Sequence, residues 1–141
     1  MREALTVLQR LRNHRKKGAE QAFVAAENRR REVEHRVAEM EAHVAENRDA
    51  AEDRDEACWV AQAQAWRMKM EVAIRRERSR LADHTREAGN RQSALAKASR
   101  DARVVEKVIE NIDERRARTE RRNEGRRLDA MGTTRWYRKE R

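Results

Sequence analysis

Apolar residues recur along this chain at alternating steps of three and four. From Phe23 the stripe runs Phe23, Ala26, Arg30, Val33, Val37, Met40, Val44, Asn47, Ala51. Such spacing keeps one face of a helix turned toward a partner helix, the pattern of a coiled-coil seam. Upstream, Leu5, Leu8 and Leu11 open the helix, with Arg10, Arg12, Arg15, Lys16 and Lys17 on its wet faces. Their phase does not run cleanly into the Phe23 stripe, which predicts a stutter near Gly18. A second and longer seam follows: Val60, Ala63, Arg67, Met70, Ile74, Glu77, Leu81, His84, Ala88, Arg91, Leu95, Ala98, Ala102, Val105, Ile109, Ile112, Arg116, Thr119. Many of its positions are small or polar, so its packing is weaker than that of a leucine zipper.

Between the two seams the repeat fades. Residues 46–56 crowd six acids (Glu46, Asp49, Glu52, Asp53, Asp55, Glu56) against Arg48 and Arg54. Asn and Asp favour turns because their side chains bond nearby backbone. The stretch Asn47–Cys58 therefore reads as the tip of a helical hairpin, although Ala and Glu would also let one helix run straight through. The expected class is all-α: a long two-helix antiparallel coiled-coil hairpin whose second helix extends past the first. It forms one domain over residues 1–141, with helix 1 at about 2–48, a turn at about 49–57, helix 2 at about 58–132 and a basic tail at 133–141.

An antiparallel pair also needs a register. Centring the turn between Asp53 and Arg54 sets Val33 opposite Ile74, Val37 opposite Met70, Val44 opposite Ala63 and Ala26 opposite Leu81. It matches the misfit Arg30 with the misfit Glu77, and Gly18 with Gly89. A shift by one heptad keeps the seams facing but loses both matches. In this register Met1 falls opposite Glu106, so residues 107–141 overhang. Val108, Ile109 and Ile112, then Leu128, Met131, Trp136 and Tyr137, would be left without a cover, and exposed apolar groups on a lone helix ask for a partner.

Composition agrees with this reading. The chain has 141 residues, 43% of them charged and 4% aromatic, too few bulky apolar groups to surround a three-dimensional core but enough to line a seam. Disorder competes for so polar a chain, and the periodicity argues against it. Proline, which costs about 3 kcal/mol inside a helix, is absent. A single cysteine, Cys58, excludes an internal disulfide and suits a reducing compartment. No signal-peptide core is present, and no run approaches the roughly 20 apolar residues that cross a bilayer. These features predict a cytoplasmic protein with no direct membrane insertion.

The formal charge of +9 is uneven. Residues 1–58 hold 12 Lys+Arg and 13 Asp+Glu, whereas residues 115–141 alone hold 11 bases and 4 acids. An acidic tip and a basic far end concern partners more than fold. The run Arg115–Arg127 could neutralise phosphates, but acids interrupt it and no leucine zipper adjoins it, so a solvated helix face explains it better and no nucleic acid is expected.

Catalytic chemistry is missing from the sequence. His14, His35, His43 and His84 lack metal-ligand spacing, no glycine-rich phosphate loop occurs, and Cys58 has no activating neighbour. Neither enzyme activity, cofactor nor metal is expected. Trp59 and Trp66, seven apart just after the tip, either cover the seam's edge or form a docking patch, since Trp is enriched at binding hot spots. Trp66, Met70 and Ala73 make an i, i+4, i+7 stripe.

The C-terminal segment Glu120–Arg141, ERRNEGRRLDAMGTTRWYRKER, resembles the end of the FliJ/YscO family of type III secretion proteins. That end carries a basic pair, an apolar residue and an acid, then an apolar position and a basic tail, here Arg126, Arg127, Leu128, Asp129 and Met131. Ala130 replaces the usual acid after the Leu-Asp pair, and Gly132 is a further departure. The opening Leu5, Leu8, Leu11, Arg12 and Arg15 is similar to the family's leucine- and arginine-rich start, and Trp59 or Trp66 to its tryptophan after the turn.

The resemblance implies a stalk similar to that of rotary ATPases. The end bearing both termini would enter a hexameric export ATPase ring and promote its assembly and activity. The other end would couple the ring to the export gate, a membrane protein, at the cytoplasmic face of the inner membrane. Export chaperones are partners in some systems. By position, the ring contacts would be Leu5, Leu8, Leu11, Arg12, Ile109, Ile112, Arg126, Arg127, Leu128 and Met131. The gate contacts would be Trp59, Trp66, Met70 and Ala73. The C-terminal pattern leans flagellar. Read without the resemblance, the residues also suit a homodimeric coiled-coil scaffold or, less well, a basic helical nucleic-acid binder.

Overall fold

The computed structural model describes residues 1–52 and 56–140. Two α-helices account for nearly all of them: α1 over Arg2–Glu52 and α2 over Ala57–Lys139. The chain is therefore a two-helix antiparallel coiled coil. Helix α1 continues to Glu52, beyond the expected end at 48, because Asp49–Glu52 contains two alanines and a glutamate that favour helix. Helix α2 likewise runs through residues 133–139, where a tail was expected. The expected turn centre at Asp53 and Arg54 lies outside the described residues.

Two compact units make up the structure: Met1–His14 with Ser99–Arg141, and Arg15–Ala98. In the second unit the buried residues are Ala26, Val33, Val37, Ala63, Ile74 and Ala88. All six are seam positions of the 3-4 pattern, and Phe23, Arg30, Met40, Val44, Asn47, Arg67, Met70, Glu77, Leu81 and His84 are half-buried beside them. In the first unit Ala102 and Val105 are buried, flanked by half-buried Leu5, Leu8, Gln9, Arg12, Ile109 and Ile112. Among the described residues no side chain is fully buried. The thin apolar seam thus supplies partial burial at many places.

The register differs from the expected one by a heptad. In the second unit Arg29 pairs with Glu87 at 3.7 Å, and Arg78 with Glu41. These charges flank the seam and fix it so that Ala26 lies level with Ala88, Val33 with Leu81 and Met40 with Ile74. Arg30 does not meet Glu77. It is held by its own helix, donating to Glu27 at 2.7 Å and to Glu34 at 3.0 Å, while Glu77 pairs with Arg80 at 3.0 Å. Arg30 is thus paired within its own helix, and so is Glu77 through Oε1, at spacings of three and four.

The glycine match fails too. A Cβ added at Gly18 or Gly89 would meet nothing within 4 Å, so neither glycine serves a close backbone approach. The stutter at Gly18 is likewise absent. Half-burial along α1 steps through Leu5, Gln9, Arg12, Lys16, Ala19 and Phe23 in threes and fours. Polar residues with long aliphatic stems fill the seam there, which a search for apolar letters overlooks.

Candidate partner-binding surfaces

The first unit contains every residue expected to contact an ATPase ring. Arg2 pairs with Asp113 at 3.2 Å and Arg12 with Asp101 at 3.1 Å, which sets α1 against residues 99–113 of α2. The paired stretch thus reaches about a heptad further along α2 than the sequence suggested. Ile109 and Ile112 are accordingly half-buried against α1 and are not part of an overhang. Leu5 and Leu8 are half-buried with them, and Leu11 is exposed. Arg12 is half-buried, and its Nε has no hydrogen-bond partner.

Beyond the level of Arg2, α2 continues alone among the described residues. Arg116 and Thr119 hold the seam's phase yet are exposed, because α1 no longer faces them. Arg126, Arg127, Leu128 and Met131 lie farther along and are exposed, Leu128 at 63% and Met131 at 68%. They are not brought against Leu5, Leu8 or Leu11. Leu128, Met131 and Gly132 line a shallow depression with Arg135 and Arg138, which places apolar surface directly beside positive charge. Gly132 does not interrupt the helix. The Thr133 and Thr134 hydroxyls donate to the carbonyls of Asp129 and Ala130 at 2.7 and 2.8 Å, closing their own hydrogen bonds inside it. Trp136 and Tyr137 stack edge to face, centroids 5.4 Å apart, and both are exposed.

Two exposed apolar residues of this unit, Val7 and Val104, went unforeseen. Val7 and Leu11 lie one turn apart on α1, Val104 and Val108 one turn apart on α2, and all four are exposed. Their i, i+4 spacing is visible in the sequence, but it lies off the seam.

The second unit contains Trp59, Trp66, Met70 and Ala73, all half-buried. Trp59 and Trp66 line a small cleft with Asn47, Gln62 and Ala63. Both indoles are partly accessible beside the seam. The exposed apolar side chains nearby are Val60, Met68 and Val72. Buried polar atoms also occur in the seam: Asn47 Oδ1, Arg67 Nε and Glu77 Oε2 have no hydrogen-bond partner. His84 approaches Glu87 at 3.9 Å. The Arg30 hydrogen bonds hold the Glu27 carboxyl below its ordinary range, and the Glu27 carboxylate in turn raises Arg30.

Among the described residues, no group of three or more His, Cys, Asp or Glu is arranged to hold a metal, and no helix is long and apolar enough to cross a membrane. These surfaces can bind other chains by apolar contact and charge. Compared with known families, residues 1–141 match the family model described as "Flagellar FliJ protein". No curated protein and no solved structure matches the chain.

Proposed function

The chain belongs to the FliJ family of flagellar proteins, components of the flagellar export apparatus, and from that premise we propose that it is the apparatus's non-enzymatic stalk. In this reading the first unit enters the hexameric export ATPase ring and promotes its assembly and ATP hydrolysis. The region of Trp59, Trp66, Met70 and Ala73 meets the export gate at the cytoplasmic face of the inner membrane. Export chaperones are further candidate partners.

The observation that carries the proposal is the position of the ten ring residues. All of them fall in one compact unit, which ends in an uncovered helix where Leu128 and Met131 stand exposed among arginines. A ring interior would cover both. Apolar burial supplies affinity, and the basic surroundings would complement an acidic partner surface.

The test is ATP hydrolysis by the purified export ATPase of the same cell, measured as the protein is added. Stimulation should saturate near one chain per hexamer. Deleting residues 118–141 should remove stimulation while circular dichroism shows the remaining helices intact. Normal stimulation by that truncation would refute the placement of the ring contact.

The exposed apolar residues Val7, Leu11, Val104 and Val108 favour one other reading, a homodimeric scaffold in which a second copy covers them. Sedimentation equilibrium at micromolar protein separates the two: a monomeric mass rules out the scaffold.

A further inference from the structure

We propose that the outer face of α2 near its start is a self-recognition surface, on which a second copy of this chain docks antiparallel through Ala61, Ala65, Met68 and Val72.

The start of α2 differs from the rest of the chain. Residues Ala57–Trp66, ACWVAQAQAW, carry no charge in a chain that is 43% charged. The seam against α1 uses one side of this stretch, through buried Ala63 and, further on, Ile74. Ala61, Ala65, Met68 and Val72 lie about 150° round the helix from those two. All four are exposed, Met68 at 68% and Val72 at 43%. Their steps of four, three and four are those of a second seam. A helix that is apolar on two opposite sides gains by being covered on both.

The order of residue sizes points to a second copy as the cover. Steps of four, three and four read the same in both directions. Two such stripes laid antiparallel therefore mesh layer by layer, Ala61 with Val72 and Ala65 with Met68. Each layer joins a small residue to a larger one, which lets facing helices interdigitate. The contact is isologous, so it closes on itself as a dimer.

Charge favours the same arrangement. The alignment sets Lys69 against Gln64 and Glu71 against Gln62, so no like charges meet beside the stripe. It carries Arg75 and Arg76, both exposed, to the level of Ala57 and Cys58 of the second copy. Immediately before those residues stands exposed Glu56, the last of six acids that residues 46–56 set against two bases. A parallel pair would instead stack Lys69, Arg75 and Arg76 on their own copies, at a cost.

From Ala61 to Val72 the stripe covers only about 17 Å of helix, a contact much smaller than a stable dimer needs. The pair therefore forms at protein concentrations on the order of 100 µM, and monomers prevail at micromolar protein. The face differs from the one containing Val7, Leu11, Val104 and Val108, and the inference stands whether or not the export proposal holds.

Sedimentation equilibrium of the full chain at low salt, from about 5 to about 500 µM, tests it. The mass should rise from monomer toward dimer. Met68→Glu, with helix content confirmed by circular dichroism, should stay monomeric throughout, whereas Val104→Glu should dimerise as the native chain does. A monomeric native chain at every concentration overturns the proposal and leaves the stripe to a helix of another protein. Dimers that survive Met68→Glu overturn it as well. Orientation is read in a Cys58→Ser background. Chains with Ala61→Cys, mixed with chains with Val72→Cys, should form a mixed disulfide under mild oxidation. Neither should form one alone, because the two copies of either residue lie about 17 Å apart along the axis. Disulfides within each variant alone would mean parallel pairing and refute the antiparallel contact.

Discussion

The Arg2 guanidinium reaches both carboxylate oxygens of Asp113, at 3.2 and 3.3 Å, across 111 positions of sequence. This contact marks how far α1 accompanies α2. Both partners are exposed, 58% and 43%, so the pair reports register more than it supplies stability. A double-mutant cycle with Arg2→Ala and Asp113→Ala should give a coupling of no more than about 1 kcal/mol by urea denaturation. A coupling well above that would mean the pair is shielded from solvent.

Seam valines should behave differently from surface valines on the same helix. Val33 is 3% exposed and Val24 54%. Val33→Ala should lower stability by about 1–2 kcal/mol, and Val24→Ala by less than about 0.5. Urea midpoints of the two variants provide the comparison.

Glycine in the interior of a helix weakens it, and Gly18 and Gly89 have open space where a methyl group would go. Gly89→Ala should therefore stabilise the protein by about 0.5–1 kcal/mol, read as a rise in melting temperature. By contrast, Ala88→Leu enlarges a residue level with Ala26, both 5% exposed or less. It should cost about 1–3 kcal/mol through overpacking.

The pH dependence follows from Glu27. Its carboxyl is held below the ordinary range chiefly by the Arg30 hydrogen bond. A folded-state value below the unfolded one means the contribution is complete above the ordinary glutamate value. It is lost as pH falls through the lowered value. The melting-temperature difference between the native protein and Glu27→Gln should stay constant near neutrality and shrink across that acid window. A difference independent of pH down to the lowest values would refute the assignment.

The helices, their antiparallel pairing and nearly every seam position were legible in the sequence, because burial along a helix imposes a period that letters reveal. Val33, Val37, Ile74 and Ala88 all stood on the stripe. The register was not legible in the same way. A heptad pattern looks identical after a seven-residue shift, so the choice passes to charges beside the seam, Arg29 with Glu87 and Arg78 with Glu41. Arg30 and Glu77 misled because each pairs within its own helix. The candidate contacts near the termini were legible as positions. That Ile109 and Ile112 lie against α1, and that Leu128 and Met131 do not, depended on the register.

The absence of any fully buried side chain among the described residues bears on how the arm melts. Each layer of the seam touches only the layers on either side, and none holds enough apolar surface to act as a keystone. Such an array has nearly one-dimensional cooperativity: a break at one layer raises the free energy of its neighbours and leaves distant layers intact. Heating should therefore open the arm progressively from its weakest layers, and the van't Hoff enthalpy should fall short of the calorimetric one. For such an element mechanical compliance is graded along its length, softest where Asn47 and Arg67 interrupt the apolar layers and stiffest around Val33 and Val37.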